Sequence, residues 1–100
     1  QTSGGTWITK TTTYTALSGD KIFVDTSGGA FTITLPAAPS TGDEVRFVDL
    51  ASSFDTYNLT VGRNSLKING ATADLTVATE DAAFALVYSG ATYGWKLMEK

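Results

Sequence analysis

The stretch VDTSGGAFTITLP, residues 24–36, joins an aspartate to a Ser-Gly-Gly turn and then alternates apolar residues with threonine as far as a proline. A phosphate-binding loop would need its glycines to lead into a helix, and a P-loop also needs a lysine after the last glycine. Here the chain continues as Ala-Phe and then as an alternating strand that the proline ends. The glycines therefore predict a tight hairpin turn in which Asp25 or Ser27 bonds local backbone amides.

The same alternation recurs along the chain, and no stretch has the 3.6-residue period of a helix. Phe31, Ile33 and Leu35 are expected to point inward, and Ile22 and Val24 are expected to share one face of their strand, with Phe23 on the other. The segment AAFALVYS, residues 82–89, is apolar on both faces, which indicates that both faces are covered. Turn residues separate the predicted strands by about 8–12 residues, a spacing typical of sandwiches and barrels. We therefore expect an all-β fold, a small antiparallel β-sandwich or β-barrel of about 8–10 short strands.

The length of the chain bounds its organisation. One hundred residues suffice for a single domain with one modest core. We divide the chain into a threonine-rich N-terminal lead-in segment, residues 1–13, and a single β domain, residues 14–100. Because the chain begins with Gln1 rather than methionine, we interpret it as a fragment or a processed product.

Charge and hydropathy argue against several classes of partner. The formal net charge is −3 and the basic residues do not cluster, which argues against a nucleic-acid interface and against docking on anionic lipid. No apolar run approaches the ~20 residues that cross a bilayer, and the N-terminal residues lack the features of a signal peptide. We therefore expect no nucleic-acid partner and no membrane insertion.

The chain contains neither histidine nor cysteine, which removes the usual general base near neutral pH and the commonest zinc ligands. A glycosidase would need two carboxylates facing across a groove. The conceivable strand-end pairs are Asp25 with Asp49 and Asp20 with Asp43. Aspartates at such positions are more typical of turns, and the carboxylates are too dispersed for an EF-hand calcium loop. We therefore expect no enzyme activity, no catalytic residue, no cofactor and no metal site.

Aromatic side chains are the remaining candidates for recognition, because they stack on sugars and anchor protein interfaces. Trp7 and Tyr14 lie in a threonine-rich segment with few apolar partners, and they either anchor it on a neighbouring subunit or preceding domain or pack in the core. Phe54 and Tyr57 lie in the longest predicted loop and are the best candidates for an exposed contact. The alternation around Trp95 favours core packing for that residue. The candidate receptor or subunit contacts are therefore Trp7, Tyr14, Phe54 and Tyr57.

Residues 14–50, YTALSGDKIFVDTSGGAFTITLPAAPSTGDEVRFVDL, resemble a module that recurs in bacteriophage virion proteins, chiefly tail fibres, tail spikes and baseplate-associated proteins. The shared pattern runs from a tyrosine and small residues through Gly-Asp, a strand and Asp-Thr-Ser-Gly-Gly. It then continues as an aromatic residue, Thr-Ile-Thr-Leu-Pro-Ala and a second Gly-Asp. The segments NLTVGRNSLKINGATADLTV and FALVYSGATYGWKL are similar to the second half of that module, so the resemblance covers residues 7–97.

The resemblance implies a non-enzymatic β module on the outside of a virion, assembled in the host cytoplasm and forming a homotrimer. Such a module serves virion assembly and host attachment within a tail fibre, spike or baseplate, or as a capsid decoration, with other virion proteins as partners. Identical copies would cover one another's edges and apolar faces. The alternative is a carbohydrate-binding module that recognises cell-surface polysaccharide, a host glycan that a fibre tip would also bind.

Overall fold

The computed structural model describes residues 7–99, which form nine β-strands and no helix. The strands are β1 (Trp7–Lys10), β2 (Tyr14–Thr15), β3 (Lys21–Val24), β4 (Phe31–Thr34), β5 (Glu44–Asp49), β6 (Leu59–Gly62), β7 (Leu75–Val77), β8 (Ala83–Tyr88) and β9 (Trp95–Glu99). The predicted all-β class is confirmed, and the number of strands agrees with the sequence pattern. Residues 1–6 of the lead-in segment and residue 100 of the predicted β domain lie outside the described residues.

The strands form two mixed sheets. Sheet A has the strand order β1-β3-β5-β8-β9, and sheet B has the order β2-β4-β6-β7. The chain changes sheet at every step from β1 to β6, so that neighbouring strands among these six run parallel in both sheets. Strands β7, β8 and β9 then add in antiparallel pairings. The expected antiparallel sandwich or barrel is therefore wrong in strand direction, and the two sheets do not close into a barrel.

The glycine-rich turn explains this difference. Residues 26–29 connect β3 in sheet A with β4 in sheet B, and these two strands do not pair with each other. Asp25 Oδ1 accepts hydrogen bonds from the Ser27 backbone N–H at 2.9 Å and from the Ser27 hydroxyl at 2.6 Å. The Gly29 N–H donates to the Thr26 carbonyl at 2.9 Å. The predicted turn and its aspartate contact are confirmed, whereas the hairpin is wrong because the same turn chemistry also carries a chain from one sheet to the other.

Strand β1 lies within the segment assigned to the lead-in. It pairs with β3 along its whole length, from Trp7 beside Lys21 to Lys10 beside Val24. Ile8 is partly buried and packs against the core. Residues 7–10 are thus an integral part of sheet A.

The hydrophobic core lies between the two sheets, as the period-two alternation predicts. In β5, for example, Val45 and Phe47 are buried while Arg46 between them points outward. The other large buried apolar residues of the core are Ile22, Val24, Ile33, Leu35, Phe54, Leu59, Val61, Ile68, Phe84, Leu86, Tyr88 and Trp95. The rings of Phe47 and Phe84 stack with their centroids 5.0 Å apart. The predicted core placement of Trp95 is confirmed, since its side chain is 0% exposed.

Candidate functional site

Trp7 lies on the side of sheet A that faces away from the core. The alternation along β1 turns Ile8 toward the core, which leaves Trp7 and Thr9 on the outer side. The Trp7 ring stacks on Phe23 of the neighbouring strand, with centroids 4.7 Å apart and an interplanar angle of 18°. Trp7 nevertheless remains 36% exposed. The stack holds this ring in one orientation before any partner binds, which reduces the entropy cost of a contact.

The strand register places further side chains beside Trp7. One row across sheet A contains Trp7, Lys21, Arg46, Ala85 and Met98, and the next contains Thr9, Phe23, Val48 and Ala83. These two rows form the outer face of sheet A. A shallow cavity of about 60 Å³ lies beside Trp7 and is lined in part by Val48 and Ala83. Most of the outer face is therefore apolar, although it points away from the core.

The charged groups on this side of sheet A are mainly cations. Lys21 and Arg46 belong to the row of Trp7, and Lys96 lies in the adjacent row of β9. Glu44 pairs with Arg46, with 2.5 Å between the carboxylate Oε2 and the guanidinium Nε. Both partners are partly exposed, so the pair contributes little to stability. This side of sheet A is therefore locally basic in a chain whose net charge is −3.

A groove of about 420 Å³ opens between β7 and β9, the last strands of sheets B and A. Its apolar lining consists of Leu75, Val77, Ala78, Ala82, Ala83, Phe84 and Leu97. Several of these side chains also pack against the core, so the core reaches the surface at this point. Glu80 and Asp81, in the turn between β7 and β8, add two carboxylates to the lining, which contains no lysine or arginine among the described residues. We call this feature the β7–β9 groove.

The β7–β9 groove was not predicted from the sequence. Its lining comes from β7, from the turn and start of β8, and from β9, which are separate segments of the chain. Period-two alternation correctly turns Leu75 and Val77 toward the core, but both are only partly buried. The one sequence feature that indicates the groove is the short apolar segment around β7, because a strand of three residues covers little of the core.

Tyr14 in β2 is partly buried and anchors a turn. Its hydroxyl donates a hydrogen bond to Asp20 Oδ2 at 2.8 Å, and the same oxygen accepts the Leu17 N–H at 2.8 Å. The Lys10 ammonium lies 4.1 Å from the centre of the Tyr14 ring. Burial, followed by the contact with Asp20, raises the pKa of Tyr14 from 10.0 to about 12, because both disfavour the phenolate. The Tyr14 hydroxyl is thus already engaged within the fold.

Phe54 and Tyr57 lie in the same loop but have opposite environments. Phe54 is 0% exposed and belongs to the core, so the expectation that it is exposed is wrong. The Asp49 carboxylate accepts the N–H groups of Ser53 and Phe54, both at 3.1 Å, which holds the loop against the core. Tyr57 is 42% exposed and remains a candidate contact. The four sequence-predicted residues therefore belong to β1, β2 and the loop after β5 and do not form one cluster.

The aspartates considered as catalytic pairs are hydrogen-bonded within turns. The hydroxyl and backbone N–H of Ser27 lower the pKa of Asp25 below its usual value. The Ser40 N–H and the Ser18 hydroxyl, each 2.8 Å from Asp43 Oδ2, likewise lower the pKa of Asp43. A carboxyl group with a lowered pKa is poorly suited to act as a general acid. Within residues 7–99, no three acidic, histidine or cysteine side chains come together as a potential metal site.

The part of the chain that the structure describes contains no helix long and apolar enough to cross a bilayer. No known protein-family model matches the chain, and no curated protein matches it.

Proposed function

We propose that this chain is a non-enzymatic structural module of a bacteriophage virion, part of a tail fibre, tail spike or baseplate or a capsid decoration, that serves virion assembly and host attachment. The observation that carries the proposal is the outer face of sheet A, where Trp7, Phe23 and Val48 form an apolar surface opposite the core. Phe23 and Val48 are partly exposed and Trp7 is exposed, and an apolar surface of this kind is compatible with a protein interface. The resemblance of residues 7–97 to virion modules supplies the biological setting.

The proposed assembly is a homotrimer. A stable interface buries about 800 Å² on each partner, so the outer face of sheet A would need help from neighbouring surfaces. Strands β1 and β9 of sheet A and β2 and β7 of sheet B are edge strands within the described residues. Contacts between copies would cover such edges, which otherwise invite uncontrolled pairing. The hydrogen-bonded turn aspartates are compatible with this mechanical role, since they stabilise connections between strands.

A second candidate function is binding of cell-surface polysaccharide. The observation that favours it is the exposure of two aromatic rings, Trp7 at 36% and Tyr57 at 42%. Aromatic faces stack on sugar rings, and the Lys21 ammonium in the row of Trp7 would favour an acidic polysaccharide. In a virion module this activity would be compatible with host attachment.

Light scattering across a range of protein concentrations, together with a glycan-binding assay, distinguishes the two functions. A trimer whose mass is independent of concentration and that lacks glycan affinity supports the assembly role. A monomer that binds polysaccharide, and loses binding on Trp7→Ala or Tyr57→Ala, supports the carbohydrate-binding module instead. Leu17→Ala is the matched control, because Leu17 is 66% exposed and lies between β2 and β3, outside the two segments that carry these rings.

A further inference from the structure

We propose that Trp7 of one copy inserts into the β7–β9 groove of a neighbouring copy, which makes the contact between copies heterologous. This inference rests on the proposed self-assembly and names the two surfaces that meet. It is carried by three observations: the size and lining of the groove, the fixed position of Trp7, and the opposite charges around the two surfaces.

The β7–β9 groove is large enough to accept an aromatic side chain. At about 420 Å³ it lies within the range of about 300–1,000 Å³ that is usual for binding pockets. The side chains of Leu75, Phe84 and Leu97 offer apolar contact on several sides. An indole inserted there would complete the core where the two sheets separate, and a buried aromatic of this kind is the typical anchor of a protein interface.

Trp7 is the large exposed aromatic that the chain presents on a rigid strand. The stack on Phe23 fixes the plane of its ring, and the pairing of β1 with β3 fixes its backbone. Tyr57 and Tyr93 are also exposed, but both lie outside the strands. A preorganised anchor loses less conformational entropy on binding than a side chain in a loop.

The charges beside the two surfaces are complementary. Lys21 lies in the same row as Trp7, and Arg46 in that row is paired with Glu44 of its own copy, whereas Glu80 and Asp81 line the groove. The Asp81 carboxylate already accepts a hydrogen bond from the Ser52 hydroxyl, and as an acceptor-only group it retains capacity for a cation. Insertion of Trp7 would bring Lys21 of one copy toward Glu80 and Asp81 of the next, which favours this pairing over contact between like surfaces.

The two surfaces also lie close together on one copy. Ala83 and Phe84 line both the small cavity beside Trp7 and the β7–β9 groove. A heterologous contact repeated around an axis closes into a ring when the rotation permits. In a ring of few copies, the Trp7 surface of one copy meets the β7–β9 groove of the next near the symmetry axis. The short distance between the two surfaces on one copy is therefore compatible with a trimer.

The absence of cysteine from the chain permits a direct test, because introduced thiols are then the only ones present. The K21C/E80C double variant is treated with a short bis-maleimide and analysed under denaturing conditions. We expect covalently linked trimers, because the thiol introduced at position 21 of each copy would lie beside the thiol introduced at position 80 of the next. Each single variant, K21C or E80C, is expected to give little cross-linking, and L17C is the control for random collision.

Charge reversal gives an independent measurement on variants that keep Trp7. Lys21→Glu and Glu80→Lys are each expected to weaken assembly several-fold by light scattering, and their combination in one chain is expected to restore it. If the protein is a trimer but the double cysteine variant cross-links no more than L17C, the inference is overturned while the proposed assembly stands. A protein that stays monomeric at every concentration overturns the inference and the trimer together.

Discussion

Replacing Gly94 with alanine is expected to lower the free energy of unfolding by about 3–4 kcal/mol. Gly94 has a φ of +71°, and the left-handed conformation costs an alanine about 1–2 kcal/mol. An added Cβ would lie 2.0 Å from the carbonyl oxygen of Lys67 and 2.6 Å from its carbonyl carbon. These are backbone atoms, so no change of side-chain rotamer relieves the overlap. The start of β9 must therefore move away from the segment around Lys67.

That movement would disrupt two hydrogen bonds. The Trp95 N–H donates to the Lys67 carbonyl at 2.8 Å, and the Asn69 N–H donates to the Trp95 carbonyl at 2.7 Å. Each lost bond costs about 1 kcal/mol, which together with the backbone cost gives the stated total. Trp95 is fully buried, so any residual displacement also disturbs its packing against Tyr88.

Urea unfolding followed by far-ultraviolet circular dichroism measures the loss, and Gly19→Ala is the matched control. Gly19 also has a positive φ, +89°, but no atom lies within 4 Å of its added Cβ. The control should therefore show only the backbone cost of about 1–2 kcal/mol. Equal losses for the two variants, at unchanged dependence on urea concentration, would show that the close approach of the Lys67 backbone is not what makes glycine necessary at position 94.

The remaining predictions concern titration and loop anchoring. An ultraviolet absorbance titration should show one tyrosine that ionises near pH 12 and that is missing in Tyr14→Phe. The stability that the raised pKa of Tyr14 contributes is present below pH 10 and is lost as the pH rises toward 12. Identical titrations of the two proteins would contradict this prediction. Ser27→Ala should raise the pKa of Asp25, as measured by carboxyl-carbon NMR. The contribution of Asp25 to stability is present above its ordinary pKa and is lost as the pH falls through the lowered pKa of the folded state. An unchanged pKa in the variant would show that the Ser27 hydroxyl does not affect Asp25. Asp49→Ala leaves three backbone N–H groups without their acceptor and should lower the free energy of unfolding by about 3 kcal/mol or more, as measured in urea. A loss below about 1 kcal/mol would show that water replaces the carboxylate.

The inward positions of the strands could be predicted from the sequence because alternation is a local property. Ile33 and Leu35 are buried, as their alternation with Thr32 and Thr34 indicates. Strand order could not be predicted in the same way. A Gly-Asp or Ser-Gly-Gly turn gives the chain a sharp bend but does not specify whether the next strand returns beside the last one or joins the other sheet.

The candidate site was less predictable than the fold. The Trp7 ring is held in place because β1 pairs with β3 and brings Phe23 beside it. Phe54 is buried because Asp49, which precedes it in the chain, binds the loop amides and turns the loop inward. Both outcomes depend on contacts that composition and periodicity do not report.

Strand β8 completes sheet A only when most of the chain is available, because it pairs with β5 on one side and β9 on the other. Pairings between segments that are distant in sequence require loop closure before they gain any contact energy, which slows folding relative to helical proteins of similar length. During synthesis, the edge of β5 that pairs with β8 therefore remains unpaired until residues 83–88 have left the ribosome. During that interval neighbouring nascent chains can meet through unsatisfied strands, so the rate of folding and the fidelity of assembly become kinetically linked.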